Sequence, residues 1–255
     1  MVVHILSVAF TGFIFWLAVP GSDLFSWHPT CMTVAFILLL LQAIVIFSPE
    51  STLFPTTPKP DKVQLHWILH AFGMASAIFG FGVIYLNKEV NNRKHFVSWH
   101  GKFGLATMIG ACLVVLGGIM AKYAVALRSW MKPINTKLYH ATGGMLVFIL
   151  AMTTIALACY SNWFKNRVQG WLWRVCFWVP IVLAVCVARQ VTQSYLPRVL
   201  VPRESDLDAK AREIQQKVDA KLKKQREKKM LNLKSKPRSS GDEQTAEDEP
   251  KDKED

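Results

Sequence analysis

Apolar residues in this chain are concentrated in six blocks of about 20 residues, the length that an α-helix needs to cross the hydrocarbon core of a membrane. The blocks cover residues 2–20, 28–48, 64–86, 99–121, 137–160 and 170–194. The short segments between them are rich in Pro, Asn, Ser and charged residues, which interrupt helices. Strands of a β-barrel would be about ten residues long with alternating polarity, a pattern that these blocks do not follow. The sequence therefore predicts an all-α fold, a six-span transmembrane helix bundle.

The last quarter of the chain has a different character, so we expect two domains: a membrane domain over residues 1–200 and a polar tail over residues 201–255. Residues 221–238 hold nine Lys or Arg and a single acid, and an acidic end follows. A stripe of Ile214, Val218 and Leu222 predicts a weakly amphipathic helix ahead of a disordered terminus. The basic cluster would be attracted to the anionic cytosolic leaflet, although a solvated, solubilising tail fits the composition equally well.

The net charge of +12 belongs to the loops and the tail. Nucleic-acid binding would need basic residues interleaved with aromatics on a folded surface, so it is not expected here. Six spans place both termini on one face, and the basic tail puts that face in the cytosol by the positive-inside rule. We favour an endomembrane location, in the endoplasmic reticulum or a vesicle. The five cysteines lie in predicted spans without CxxC spacing, which argues against a disulfide framework or a zinc ribbon.

Four histidines lie near the starts of four predicted spans: His28, His66, His100 and His140. Ionisable side chains inside a bilayer are costly and usually have a functional reason. Because successive helices alternate in direction, His28 and His100 fall near one face, and His66 and His140 fall near the other. His70, one helical turn beyond His66, is an alternative ligand at that position or its partner in an HxxxH metal pair.

Two imidazoles at each face suit a haem better than a zinc ion. Zinc takes four protein ligands, or three and a water, and no Asp, Glu or Cys lies at matching positions. A haem ring supplies four nitrogens of its own and needs only axial ligands. With histidine at both axial positions the iron has no open site for oxygen, which favours electron transfer. Small residues in the spans would either flank a flat macrocycle or let helices pack closely: Ala71, Gly73, Ala75, Ser76, Gly101, Gly104, Ala106, Gly110, Ala141, Gly143 and Gly144.

Several motifs taken together resemble the cytochrome b561 family, and best its branch of short domain-containing proteins. They are FSWHP (25–29), IFSPES (46–51), HW (66–67), WHGK (99–102) and KLYHATGG (137–144). Each motif is weak alone, and the combination is specific. The resemblance covers roughly residues 10–195 and leaves the tail unmatched.

The resemblance implies a four-helix core that holds two haem b groups. It also implies that His28 and His100 ligate one iron on the non-cytosolic side, while His66 and His140 ligate the other on the cytosolic side. The activity implied is that of a transmembrane oxidoreductase, which passes electrons from cytosolic ascorbate to monodehydroascorbate or a ferric chelate. The oligomeric state is open, with a homodimer among the alternatives.

Cationic side chains near His66 and His140, the inner pair as opposed to the outer pair His28 and His100, are candidates for drawing in an anionic donor: Lys59, Lys62, Lys132 and Lys137. Family members commonly carry basic residues where this chain has Val63 and Pro133, so the donor site departs from the usual pattern. On the outer face His95 is a candidate for binding the acceptor. Ordinary positive-inside charge and a solvated loop histidine are the alternative interpretations of these residues.

Two other functions are compatible with the same residues. One is a metal or proton transporter that uses the histidines, although the centres of the spans lack the acidic residues that such paths usually recruit. The other is a membrane scaffold that acts through the basic tail. His4, near the start of the chain, is assigned no role.

Overall fold

The computed structural model describes residues 1–200 and 204–234, with side chains up to residue 193 and over residues 211–228. Within these ranges the chain is helical and has no β-strand, which confirms the all-α fold class. The eight helices described are α1 (Val2–Ala18), α2 (Trp27–Val45), α3 (Lys59–Val90), α4 (Trp99–Lys122), α5 (Pro133–Ala158), α6 (Asn162–Lys165), α7 (Gly170–Leu200) and α8 (Glu204–Lys234).

Helices α3 and α5 begin earlier than the apolar pattern predicts. They start at Lys59 and Pro133 rather than at residues 64 and 137, because Pro60 and Pro133 occupy the first turn. Proline is favoured there, where its missing N–H costs no hydrogen bond and its fixed φ suits the helix. The polar residues before each apolar block therefore continue the helix beyond the expected membrane boundary.

Helices α2 and α3 form one closely packed antiparallel pair. A Cβ built on Gly73 would overlap the side chain of Leu40, and one built on Gly80 would lie 2.9 Å from Cβ of Cys31. The hydroxyl of Ser76 donates a hydrogen bond of 2.9 Å to the Cys31 carbonyl. The glycines thus bring the two backbones together, as small residues commonly do between membrane helices.

Helices α4 and α5 form a second pair of the same kind. A Cβ on Gly110 would lie 2.9 Å from Cγ2 of Val147, and the hydroxyls of Thr107 and Thr154 lie 3.1 Å apart in a buried hydrogen bond. Gly143 and Gly144 similarly face Val114 on α4. Close helix packing, one of the two roles that the sequence left open for these small residues, is seen at Gly73 and Gly110, whereas a Cβ on Gly143 or Gly144 would make only an ordinary contact.

The two pairs meet near their middle. There α2 is a π-helix over Val34–Leu40, an arrangement that is rare and often found at functional sites. Its Ile37 is fully buried and belongs to the same apolar cluster as Phe148 and Met152 of α5. This contact joins the pairs at mid-height.

Helices α1 and α7 complete the apolar cluster around α2. Phe10 and Ile14 of α1 and Leu183 and Val187 of α7 are buried within it. His4, to which the sequence assigned no role, is buried and ties α1 to its neighbours: Nδ1 lies 2.7 Å from Oε1 of Gln42, and Nε2 lies 2.5 Å from the Ser51 carbonyl.

The outer surface of the bundle is strongly apolar. Five helical segments are long and apolar enough to cross a membrane: Trp27–Val45, Lys59–Val90, Trp99–Lys122, Pro133–Ala158 and Gly170–Gln193. Large side chains on them are exposed, including Phe72, Leu113 and Leu146, as expected for surfaces that contact lipid. Helix α1 is also apolar but has 17 residues, so a sixth span stays a prediction.

The chain divides into two units, residues 1–199 and residues 200–255. In the second unit the structure describes α8, a helix of 31 residues whose side chains over residues 211–228 are exposed. The predicted disordered acidic terminus lies outside the described residues.

Candidate functional site

The structure brings the four span-start histidines together in two pairs. The ring centroids of His28 on α2 and His100 on α4 lie 6.2 Å apart, with the rings nearly perpendicular at 79°. The centroids of His66 on α3 and His140 on α5 lie 6.1 Å apart, at 86°. Each pair joins one helix of the α2/α3 pair to one helix of the α4/α5 pair.

Three of these imidazoles are oriented by a backbone carbonyl of the helix packed beside their own. His28 Nδ1 donates a hydrogen bond of 3.0 Å to the Gly80 carbonyl. His66 Nδ1 donates one of 2.7 Å to the Ala43 carbonyl, and His100 Nδ1 donates one of 2.9 Å to the Thr154 carbonyl. A carbonyl only accepts, so Nδ1 carries the hydrogen and Nε2 keeps its lone pair. This arrangement is typical of metal-binding histidines, whose second nitrogen is fixed by an outer partner.

His140 is oriented differently. Its Nδ1 is buried and, within the part of the chain that the structure describes, makes no hydrogen bond of normal geometry, although the Val114 backbone of α4 is close to the ring. The ring instead lies against α4, where Cβ atoms built on Gly117 and Gly118 would be 3.8 Å and 3.0 Å from its nearest atoms. Two adjacent glycines therefore provide the space that this imidazole occupies.

The inner pair has a third imidazole beside it. The ring centroid of His70 lies 4.4 Å from that of His66, at 66°. Among the described residues, however, no group of three or more His, Cys, Asp or Glu side chains could hold a metal ion. The donors available at each centre are thus imidazoles in facing pairs, which suits a metal that needs only two protein ligands.

The candidate donor-binding lysines lie at the ends of the two helices that carry the inner pair. Lys59 and Lys62 are in the first turns of α3, Lys132 caps α5 and Lys137 follows in its second turn. The structure adds a fifth cation, Lys122 at the end of α4. Its Nζ lies 5.1 Å from the ring of Trp67, the residue next to His66. Lys122 follows directly after the predicted span 99–121 and was not among the candidate residues for donor binding.

At the end of the bundle that carries His28 and His100, His95 lies between α3 and α4. Its Nε2 is 2.6 Å from a carboxylate oxygen of Glu89, and its ring stacks on Tyr85 with centroids 4.2 Å apart. Nearby, the Lys88 ammonium donates a hydrogen bond of 3.0 Å to the Lys94 carbonyl. His95 is therefore held in a defined orientation on the side of the bundle that carries the outer pair.

Comparison with known proteins relates this chain to a family of membrane proteins and to proteins named as transmembrane reductases. The family model described as eukaryotic cytochrome b561 matches residues 27–165. The chain is 36% identical over 195 residues to a protein of Bos taurus named transmembrane reductase CYB561D2, covering 76% of this chain and 87% of that one. The Homo sapiens protein of the same name is equally similar over the same shares. A protein of Arabidopsis thaliana named transmembrane ascorbate ferrireductase 1 is 29% identical, covering 62% of this chain and 63% of that protein.

Proposed function

This chain belongs to the cytochrome b561 family, and we propose that it holds two haem b groups and carries electrons from cytosolic ascorbate to an acceptor across the membrane. Family membership by itself implies haem b binding, and the reductase names of the relatives support a transmembrane oxidoreductase. The number of haems, the ligands, the donor and the acceptor are the proposed part.

The observation that carries the proposal is the spacing of the two imidazole pairs. Two metal–imidazole bonds of about 2 Å each, together with roughly 1.1 Å from each nitrogen to its ring centre, put the two centroids about 6 Å apart. The pairs His28/His100 and His66/His140 have centroids 6.2 and 6.1 Å apart. Each pair would therefore fit ligation of one haem iron.

In this arrangement His28 and His100 would hold the outer haem, and His66 and His140 the inner haem. When bound, haem supplies one-electron redox chemistry. The chain orients the imidazoles through the Gly80, Ala43 and Thr154 carbonyls. Such hydrogen bonds raise the basicity of the ligating nitrogen.

Electrostatics supports an anionic donor at the inner end. Lys59, Lys62, Lys132 and Lys137 lie on the helices of the inner pair, and Lys122 lies beside Trp67. A cluster of cations would raise the local concentration of ascorbate and make its reaction sensitive to salt. The name of the Arabidopsis relative supports ascorbate as donor and ferric iron as acceptor, with monodehydroascorbate as a further acceptor. His95, held by Glu89, would contribute to acceptor binding on the other side.

We further propose that α1 also crosses the membrane, which gives six spans. Both termini then lie on the cytosolic side of an endomembrane. A length of 17 residues is at the lower limit for a span. The basic tail then follows the positive-inside rule. A homodimer remains one of the assemblies to be tested.

The ligand assignment is tested by optical and paramagnetic resonance spectra of purified protein with His28→Ala or His66→Ala. Each variant should lose one low-spin centre and keep the other, halving the haem-to-protein ratio. His70→Ala is the matched control, because His70 lies one turn from His66 on the same helix. If His70→Ala loses the inner centre while His66→Ala keeps it, the inner ligand is wrongly assigned. A folded, colourless preparation from haem-replete cells would refute haem binding altogether.

A further inference from the structure

Helix α8 exposes an apolar stripe that the electron-transfer function does not use. Ile214, Val218 and Leu222 are 59%, 45% and 47% exposed. They are spaced four residues apart and therefore lie along one face of the helix. A helix with such a stripe normally buries it against an apolar partner.

The charges on α8 are arranged around that stripe. At 3.6 residues per turn, Lys221 and Lys228 project within about 80° of the centre of the stripe on one flank, and Arg226 does so on the other. The acidic side chains of residues 211–228 project about 100–180° away from it: Glu213, Asp219 and Glu227. The apolar stripe is thus flanked by positive charge, and negative charge is kept toward the opposite side.

Two of these three acids, Glu213 and Asp219, are also engaged within the helix. Among residues 211–228 the ion pair present joins Lys217 to Glu213 at 2.6 Å, and Asp219 accepts a hydrogen bond of 3.0 Å from Gln215. Lys221 and Lys228, next to the stripe, are not in that ion pair. A face that combines apolar side chains with cations at its edges is complementary to the boundary between anionic lipid headgroups and acyl chains.

We propose that α8 lies on the surface of an anionic bilayer. Its stripe is buried at the boundary between headgroups and acyl chains, and its flanking lysines contact the acidic headgroups. Along the chain, α8 begins at Glu204, shortly after the apolar segment Gly170–Gln193. This tether holds α8 at a high effective concentration near the membrane, so a modest affinity is enough for docking.

The experiment uses the full chain in nanodiscs made either of phosphatidylcholine alone or of phosphatidylcholine with about one third phosphatidylserine. Hydrogen–deuterium exchange is measured over residues 211–228 by mass spectrometry. We expect exchange to be at least tenfold slower in the anionic discs and to recover when salt is raised. Each basic residue near an anionic surface contributes about 1 kcal/mol, so the double variant K221Q/K228Q should weaken docking about tenfold to thirtyfold.

The matched control is K223Q/K224Q, which removes the same charge from positions about 120–140° away from the stripe. It should keep most of the protection. Exchange that is equally fast in the two kinds of disc, with no protection in either, would overturn the proposal. Protection that is equally strong in neutral discs would indicate contact with protein or a second copy, and equal loss in both double variants would indicate unspecific attraction; either result also overturns it. The haem spectrum of each variant is recorded in parallel, so a failure here is distinguishable from a failure of the proposed function.

Discussion

Gly118 is the position at which a single methyl group should disturb one redox centre and spare the other. It lies on α4 against the ring of His140, and a Cβ there would be 3.0 Å from Cε1 and 3.6 Å from both ring nitrogens. Ordinary carbon contacts are about 3.5–4.0 Å. The substitution Gly118→Ala therefore requires the imidazole to move by a few tenths of an ångström.

The size of the effect follows from that displacement. Functional ligands need to be held within about 0.5 Å of their working geometry, and extra atoms in a packed site typically cost about 1–3 kcal/mol. At 1.4 kcal/mol per factor of ten, haem at the inner centre should be retained about fivefold to a hundredfold less tightly. The outer pair, His28 and His100, lies near the other ends of the helices and should be unaffected.

The assay is transfer of haem to an excess of an apo-globin, followed optically, with paramagnetic resonance spectra to tell the two low-spin centres apart. Gly117→Ala is the control, because a Cβ there would lie 3.8 Å from Nδ1 of His140, an ordinary contact. Both changes raise helix propensity by up to about 1 kcal/mol, so that contribution cancels. The reasoning is refuted if Gly118→Ala releases haem no faster than Gly117→Ala, or if both centres change equally.

Three further predictions concern packing, the donor side and the tail. Gly73→Ala should lower the thermal unfolding temperature in detergent because its Cβ would overlap Leu40, at a cost of about 1–3 kcal/mol; Gly82→Ala, which has no atom within 4 Å of its Cβ, should be neutral or mildly stabilising. Lys122→Gln should raise the apparent KM for ascorbate about fivefold, because one nearby charge contributes roughly 1 kcal/mol in water. Lys102 lies over the ring of Trp99 at the other end of α4, so Lys102→Gln should leave this KM unchanged in the same stopped-flow assay. Removal of the tail should leave haem content and ascorbate reduction intact in proteoliposomes, and loss of either would contradict an accessory role for it.

The positions of the apolar helices could be predicted because apolar residues occur in blocks of membrane-spanning length. The facing histidines could be predicted too, because alternating helix directions bring the starts of α2 and α4 to one face and those of α3 and α5 to the other. Helix ends were predicted less well: the polar residues before residue 64 join α3, since Pro60 favours a first helical turn. The apolar pattern contains no information on such polar extensions.

The partners of the histidines could not be predicted. The carbonyls of Gly80, Ala43 and Thr154 belong to the backbone, so no side-chain pattern marks them. The glycines beside His140 were missed for a related reason. Gly101, Gly104 and Gly110 on α4 could be identified as small residues from the sequence, but only the rotation of that helix shows that Gly118, two turns beyond Gly110, faces the imidazole. A side-chain signal existed for Lys122, which ends α4 as Lys59 begins α3, but its proximity to Trp67 depends on how the helices pack.

The distribution of contacts explains why the histidines matter to the architecture as well as to the chemistry. Close packing through glycine occurs within the helix pairs, at Gly73 between α2 and α3 and at Gly110 between α4 and α5. The apolar contact between the pairs is at mid-height, beside the π-helical part of α2. On either side of this contact, one imidazole from each helix pair faces an imidazole from the other pair. Where Nδ1 forms a hydrogen bond, its acceptor belongs to the same helix pair as the histidine. For His28, His66 and His100, the hydrogen bond that orients the ring thus occupies Nδ1 within its own pair and leaves Nε2 available to a group between the pairs. One set of constraints, tight packing within pairs and separation between them, thus produces both the site and the orientation of its ligands.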